Sequence, residues 1–150
     1  MRTRVTAFAA ALFVAAALHT VTAQTGSAGY TTPAAAVKFT PLDPKAPNGA
    51  RISIVSGRME GPGPVTFFAL LPKGRPAGMH KHTASYHAVV IRGEMRHWLP
   101  GEEAKAPVLG PGSHWYQPGN GVHNTECVST ECLFFARYEG AVDDIPVPAK

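Results

Sequence analysis

The chain has 150 residues, a formal net charge of +4, and 15 glycines and 14 prolines. Its basic residues are scattered, and no basic run alternates with aromatic residues, so the pattern of a nucleic-acid-binding surface is absent. The glycines and prolines separate short apolar runs, and this punctuation favours short strands over helices.

The N-terminus has the pattern of a secretory signal peptide. Arg2 and Arg4 precede an apolar stretch over residues 5–18, and small residues follow up to Ala23, where we expect cleavage. The predicted organisation is a signal peptide over 1–23, a flexible leader over 24–36 and a single domain over 37–150. The alternative is an N-terminal anchor that is never cut. No later segment is apolar enough to span a membrane, so we expect a periplasmic or secreted protein.

The remainder of the chain predicts an all-β fold. An alternating pattern typical of a half-buried strand covers 51–56, whereas the continuous apolar run over 65–71 is typical of a strand buried on both faces. Gly93 marks a tight turn between two strands. In chain order, the predicted strands are 38–42, 51–56, 65–71, 86–92, 94–99, 113–117 and 132–138.

Two cysteines, Cys127 and Cys132, flank a segment that reads as a turn between strands. An exported chain meets an oxidising compartment, so a disulfide across the base of this turn is the favoured interpretation. The alternative is a soft metal site, but two sulfurs without a second pair nearby match zinc-site spacing poorly.

The histidines predict a metal site. The spacing of His80 and His82 places two imidazoles on the same face of an extended strand, because side chains alternate with period 2. Imidazole suits divalent Zn, Cu, Fe and Ni, and Mn is a further candidate; the sequence does not select the ion. The alternatives for His87 are an unbound histidine or a core histidine, which would leave a three-histidine site. The predicted ligand set is His80, His82, His87 and His123.

Other residues near these histidines receive weaker predictions. His97 is expected to be packed or exposed rather than a ligand, and His114 to lie behind the ligands or in the core. If the strand is regular, Tyr86 faces away from the side that His87 faces. Trp98, Trp115 and Tyr116 are predicted to form the barrel wall.

Two motifs in this chain resemble those of the cupin superfamily. The first cupin motif is a glycine, a His-x-His pair, a further ligand four or five residues on and a closing glycine. The second motif is a glycine, a proline six residues later and a final histidine. The matching residues here are Gly78, His80, His82, His87 and Gly93 in the first motif, and Gly112, Pro118 and His123 in the second. The resemblance implies a double-stranded β-helix, the jelly-roll barrel, built as a single domain.

The chain departs from the family pattern at three positions. His87 stands where cupins usually carry glutamate, Asn120 replaces a turn glycine, and Cys127 replaces an asparagine. Asparagine tolerates positive φ better than most residues, so the turn can form. The residues around both motifs resemble a group of exported bacterial cupins, the DUF4437-like group, which implies no known reaction.

The resemblance and the histidines together predict a metal-binding cupin with a small-molecule ligand. The first hypothesis is a dioxygenase or another metal-dependent oxidoreductase that acts on a small oxygenated substrate. The second is a metal-dependent binding or sensing module without turnover, and the third is a barrel that is metal-free or holds structural zinc. No residue stands out as the general base. Small cupins imply a homodimer as a further expectation.

Overall fold

The computed structural model describes residues 29–74 and 77–148. The predicted signal peptide, 1–23, and the first part of the predicted leader lie outside these residues. All features below belong to one compact unit, Thr32–Lys150.

The predicted all-β class is confirmed, because strands dominate the described residues. The only helices there are two short 3₁₀ turns, Ala34–Ala36 and Glu103–Lys105. Within 29–74 and 77–148, no helix is long and apolar enough to cross a bilayer. The ten strands are β1 (Thr40–Pro41), β2 (Arg51–Ser56), β3 (Val65–Pro72), β4 (His80–Lys81), β5 (Tyr86–Arg92), β6 (Met95–Trp98), β7 (His114–Gln117), β8 (Asn124–Cys127), β9 (Glu131–Tyr138) and β10 (Ile145–Pro146).

The strands form one large antiparallel sheet and two small ones. The large sheet has six strands in the order β1-β2-β3-β9-β5-β7. The small sheets are the pairs β4–β10 and β6–β8. Since β9 lies between β3 and β5, the last long strand of the chain inserts into the centre of the large sheet.

The core follows from the alternation of side chains along β5. Tyr86, Ala88 and Val90 face inward and are buried, whereas the residues between them are exposed. On the neighbouring β9, Ala136 and Tyr138 face inward in register with Ala88 and Tyr86. The inward side chains of the large sheet therefore form one wall of a closed interior.

Gly93 turns the chain between β5 and β6. Its φ is +84°, a conformation that favours glycine, and a Cβ there would lie 2.7 Å from the Glu131 carbonyl oxygen. The predicted turn at Gly93 is therefore confirmed, and its cause is both the positive φ and the close approach of the β9 backbone.

The predicted disulfide is also confirmed. Cys127 ends β8, Cys132 lies at the start of β9, and the bond between them joins Cα atoms that are 5.7 Å apart. It ties the small β6–β8 sheet to the central strand of the large sheet.

Three strands, β4, β8 and β10, have no counterpart in the list of predicted strands, although the His-x-His spacing implies an extended segment at β4. β8 consists of polar residues followed by Cys127, and β10 is only two residues long, so neither shows apolar alternation. β8 is a strand because its backbone pairs with β6, and β10 is a strand because its backbone pairs with β4.

Candidate metal centre

Three histidines from distant parts of the sequence meet inside the barrel. His80 lies in β4, His82 follows that strand, and His123 immediately precedes β8. The backbones of His80 and His123 exchange two hydrogen bonds of 3.0 and 2.9 Å. This bridge places the side chains together, and one ring nitrogen of each of the three residues lies within 4.8 Å of the others. We call these residues the histidine cluster.

The histidine cluster is buried, with exposed fractions of 6% for His80, 7% for His82 and 0% for His123. The rings of His80 and His82 lie 4.9 Å apart, on the same side of the chain, as the His-x-His spacing predicts. Buried imidazoles need partners for their ring N–H groups. The surrounding backbone supplies these partners.

In each member of the histidine cluster, Nδ1 faces a backbone carbonyl oxygen. The acceptor is Gly78 for His80, at 2.8 Å, and Gly121 for His123, at 3.1 Å. For His82 the acceptor is the carbonyl of Asp143. A carbonyl only accepts, so each Nδ1 carries a proton, and Nε2 is the ring nitrogen left to bind a metal ion. This arrangement is the one by which proteins orient metal-binding histidines.

Burial favours the neutral form of two of these imidazoles, those of His82 and His123. It lowers the pKa of His123 to about 3, with repulsion from neighbouring histidines acting in the same direction. Burial also lowers the pKa of His82, although the hydrogen bond to Asp143 opposes the shift. Metal binding requires the neutral form of histidine, so His82 and His123 need lose no proton to bind a metal near neutral pH.

Tyr86 contacts the histidine cluster from β5. Its hydroxyl lies 3.1 Å from Nε2 of His123 and donates to that nitrogen, a bond that a metal ion on Nε2 would replace, while Trp115 Nε1 donates to the Tyr86 oxygen at 3.2 Å. The Tyr86 ring stacks on Tyr138 with centroids 4.3 Å apart. Burial raises the pKa of Tyr86 to about 12, so the phenol keeps its proton at neutral pH.

His97 forms part of the wall beside the histidine cluster. Its Nε2 donates to Gln117 Oε1 and its Nδ1 accepts from Thr125 Oγ1, both at 3.0 Å. The ring stacks on Trp115, with centroids 5.0 Å apart. Burial lowers the pKa of His97 to about 4. His97 is not among the three histidines whose ring nitrogens lie within 4.8 Å of one another, so it supports the site rather than adding a ligand, in line with its prediction.

Gln117 links His97 to the histidine cluster. Its amide Nε2 donates to the Gly121 carbonyl at 2.8 Å, and that carbonyl also accepts from Nδ1 of His123. Gln117 was not singled out from the sequence. Its only signal there is its position two residues after Trp115, on the same inward face of β7.

The structure does not bring His87 to the histidine cluster. Its side chain lies on the outer, exposed face of β5, with its ring 4.8 Å from that of Tyr116. The expected inward orientation of His87 is therefore corrected. The reason is the alternation of β5, which turns Tyr86 inward and His87 outward. Position 86 is four residues after His82, and Tyr86 occupies the inward place there.

Of the remaining residues singled out from the sequence, some lie on the buried face of their strand and others on the exposed face. Trp98 and Trp115 are buried, as expected for wall residues, whereas Tyr116 is 55% exposed on the outer face of β7. His114 is also exposed, so its expected place behind the ligands is wrong; it alternates with Trp115 along β7. Asn120 has a φ of 62°, as predicted for the residue that replaces a turn glycine.

The likeness to solved structures establishes the fold. No family model matches this sequence, and no curated protein matches it. An RmlC-like cupin from Shewanella frigidimarina NCIMB 400 is similar with a TM-score of 0.59 at 16% identity, over 76% of this chain and 93% of that one. The polyketide cyclase RemF from Streptomyces resistomycificus is similar with a TM-score of 0.63 at 16% identity, over 82% and 88%.

A third similar structure is the DMSP lyase DddQ from Ruegeria pomeroyi DSS-3. Its TM-score is 0.57 at 18% identity, over 75% of this chain and 61% of that one. At such identities the likeness shows the fold alone. This chain therefore has the cupin fold, a jelly-roll barrel, as the two histidine motifs predict.

The donor set of the histidine cluster fits a transition-metal ion. Three imidazoles converge in a buried site, their Nδ1 atoms are held by carbonyls, and one ring nitrogen of each lies within 4.8 Å of the others. Such a set suits Zn, Cu, Fe or Ni. Three protein ligands leave coordination positions for a small molecule.

Proposed function

We propose that this protein is an exported cupin in which His80, His82 and His123 hold one divalent transition-metal ion. The proposed activity is that of a dioxygenase or another metal-dependent oxidoreductase acting on a small oxygenated substrate. The observation that carries the proposal is the convergence of three buried imidazoles whose Nδ1 atoms are all held by backbone carbonyls.

The charge of the site indicates the class of substrate. The histidine cluster contains no carboxylate, so nothing in it offsets the charge of a divalent ion. When bound, the ion supplies Lewis-acid polarisation of a coordinated oxygen and attracts anionic ligands. A carboxylate or an enolisable carbonyl compound therefore fits this site better than a neutral apolar molecule.

The side chains around the histidine cluster would orient the substrate and exclude water. With a metal ion on His123 Nε2, the proton of the Tyr86 hydroxyl would be free to donate to a substrate oxygen. Trp115 fixes the Tyr86 oxygen, and the stacked Tyr138 covers its ring. His97 and Gln117 hold the carbonyl that orients His123.

The choice of reaction rests on the site, because the fold does not select one. Solved cupins similar to this chain include a polyketide cyclase and a DMSP lyase, and one fold commonly hosts many chemistries. Grouping with the DUF4437-like cupins stays a prediction and adds no reaction.

Export is the second part of the proposal. The predicted signal peptide over 1–23 suggests it, and the disulfide between Cys127 and Cys132 supports it, because such bonds persist in oxidising compartments. A periplasmic or secreted protein, and a homodimer of it, remain proposals.

Metal content tests the centre. We would measure metal by elemental analysis in untagged protein made by export, in the wild type, in His82→Ala and His123→Gln, and in His87→Ala as the matched control. About one equivalent in the wild type and in His87→Ala, with loss in the other two variants, is the expected result. Loss of metal in His87→Ala would contradict the three-histidine assignment, and a metal-free wild type after reconstitution would refute the centre.

A non-catalytic binding or sensing module is the alternative. It is favoured by the lack of a strong base in the histidine cluster, which contains no carboxylate and contacts a tyrosine that keeps its proton. Substrate-dependent oxygen uptake by the metal-loaded protein separates the two. Tight ligand binding without uptake or product would favour the binding module.

A further inference from the structure

A C-terminal segment runs along the part of the chain that carries His80 and His82. We call residues 139–147 the strap. At its start, Glu139 N donates to the Ser85 carbonyl at 3.0 Å, and at its end Val147 N donates to the Met79 carbonyl at 2.8 Å. Between these contacts, β10 pairs with β4 in antiparallel register, Ile145 opposite Lys81 and Pro146 opposite His80. The strap therefore lines the ligand-bearing segment over its whole length.

Asp143 is the residue of the strap that contacts the histidine cluster. Its backbone carbonyl accepts from Nδ1 of His82. Its carboxylate accepts from the backbone N of Thr83 at 2.8 Å and from the Thr83 hydroxyl. Thr83 directly follows His82, so the backbone carbonyl and the carboxylate of Asp143 bind two consecutive residues.

The partner of His82 differs from those of the other two histidines. His80 and His123 donate to carbonyls only two residues away, in their own turns. The partner of His82 is 61 residues away. Local turns therefore hold two of the imidazoles, whereas the orientation of His82 depends on the strap.

The carboxylate of Asp143 fixes the carbonyl that His82 needs. The Asp143 side chain anchors the residue to Thr83 through two hydrogen bonds, and this anchor sets the position of the carbonyl on the same residue. Without the anchor, the strap is held near this point by β10 and by the hydrogen bond from Val142 N to the Met59 carbonyl, at 2.8 Å. These contacts hold the backbone on either side of Asp143 but do not engage His82.

We propose that Asp143 is a positioning residue for the metal centre, and that docking of the strap and binding of the metal favour each other. This inference rests on the metal centre proposed above. The physical reason is that metal binding needs His82 with its Nδ1 proton on a carbonyl and its Nε2 free, and the docked strap supplies that carbonyl. By thermodynamic linkage, if docking of the strap raises the metal affinity by a given factor, bound metal raises the equilibrium constant for docking of the strap by the same factor.

Zinc affinity of the full-length mature protein tests the inference, measured by competition with a chromophoric chelator. Asp143→Ala removes both hydrogen bonds of the anchor and is expected to weaken zinc binding about tenfold, at the lower end of the range for residues behind metal ligands. Thr83→Val removes only the bond from the hydroxyl, so it is expected to weaken zinc binding by a smaller factor. Thr83→Ser keeps the hydroxyl and is expected to restore the affinity. Asp144→Ala is the matched control, because it removes the same charge one position further along.

A second measurement detects the coupling without any substitution. Zinc is expected to slow hydrogen exchange at the Val147 amide of the wild type, and to slow it less in Asp143→Ala. The visible spectrum of the cobalt-loaded protein is expected to change in Asp143→Ala and Thr83→Val but not in Thr83→Ser. Matching melting temperatures of the metal-free variants show that the fold is intact.

The outcomes separate this inference from the proposed function. A wild type that binds one zinc ion, with Asp143→Ala and Thr83→Val binding as tightly and with unchanged exchange at Val147, overturns the role of Asp143 and leaves the metal centre standing. If Asp144→Ala weakens zinc binding as much as Asp143→Ala does, the effect is due to the lost charge, and the anchoring role of the Asp143 carboxylate is also overturned. A wild type that binds no zinc refutes both proposals.

Discussion

The two faces of β5 give neighbouring residues opposite surroundings. Tyr86 faces inward, hydrogen-bonds to His123 and is buried, whereas His87 faces outward, lies against the ring of Tyr116 and is exposed. A histidine in the sequence pattern of a metal ligand is thus excluded from the histidine cluster by one position of strand register. Residue type makes a histidine a candidate ligand, but the face of the strand on which it lies decides whether it reaches the histidine cluster.

The acid sensitivity of the buried face is the largest expected effect. His123 stays neutral in the folded protein down to about pH 3, but it takes up a proton near pH 6.5 when unfolded. Between these values the unfolded state binds more protons, so the free energy of unfolding falls as the pH falls, by about 1.4 kcal/mol per pH unit for this histidine. His82 and His97 act in the same direction, since burial lowers the pKa of both.

Urea unfolding of the metal-free protein at pH 7.5, 6 and 5 measures this dependence. The His97→Gln variant is expected to show a shallower loss of stability, because one titrating imidazole is gone. A wild-type stability that stays level or rises towards pH 5 would contradict the burial argument.

Metal binding should stabilise the protein only when the buried face is intact. At a zinc concentration of about 1,000 times Kd, the free energy of unfolding is expected to rise by about 4 kcal/mol. His114→Ala, which changes an exposed residue of β7, should keep this increase, and His123→Ala should lose most of it. Thermal melts with and without zinc provide the measurement, and equal stabilisation of both variants would argue against a site at His123.

A pair of hydroxyl deletions gives the smallest effect. Tyr86→Phe removes the donor to His123 and leaves Trp115 Nε1 without its acceptor, so a loss of about 1–3 kcal/mol is expected in the metal-free protein. Tyr116→Phe removes a hydroxyl from a side chain that is 55% exposed and should change stability by less than about 0.5 kcal/mol. Chemical denaturation of the two variants measures the difference. Equal losses would show that the inner hydroxyl adds no stability beyond that of an outer one.

Much of the large sheet could be predicted because its strands carry their own signal. The predicted limits of β2 and β5 match those of the structure, and β3 and β9 differ by one residue at one end. Their apolar or alternating patterns are local properties of a half-buried or fully buried strand. β8 and β10 lack such patterns because backbone pairing with other strands defines them, so no local rule could find them.

The candidate site was predicted only in part, because only some of its residues have a local signal in the sequence. The spacing of His80 and His82 implies a shared face, and the motif resemblance adds His123. The supporting residues Gln117, Thr125 and Asp143 have no motif, and each acquires its role from a contact with a histidine distant in the chain.

The sequence by itself determined the residue types of the site, the alternation of β5 and the two cysteines that could pair. Those features depend on spacing and on side-chain chemistry, which are visible along the chain. Only the tertiary structure decided which face of β5 points inward, and that the strap reaches His82. Strand alternation fixes which residues share a face, but packing against the other strands decides which face becomes the interior.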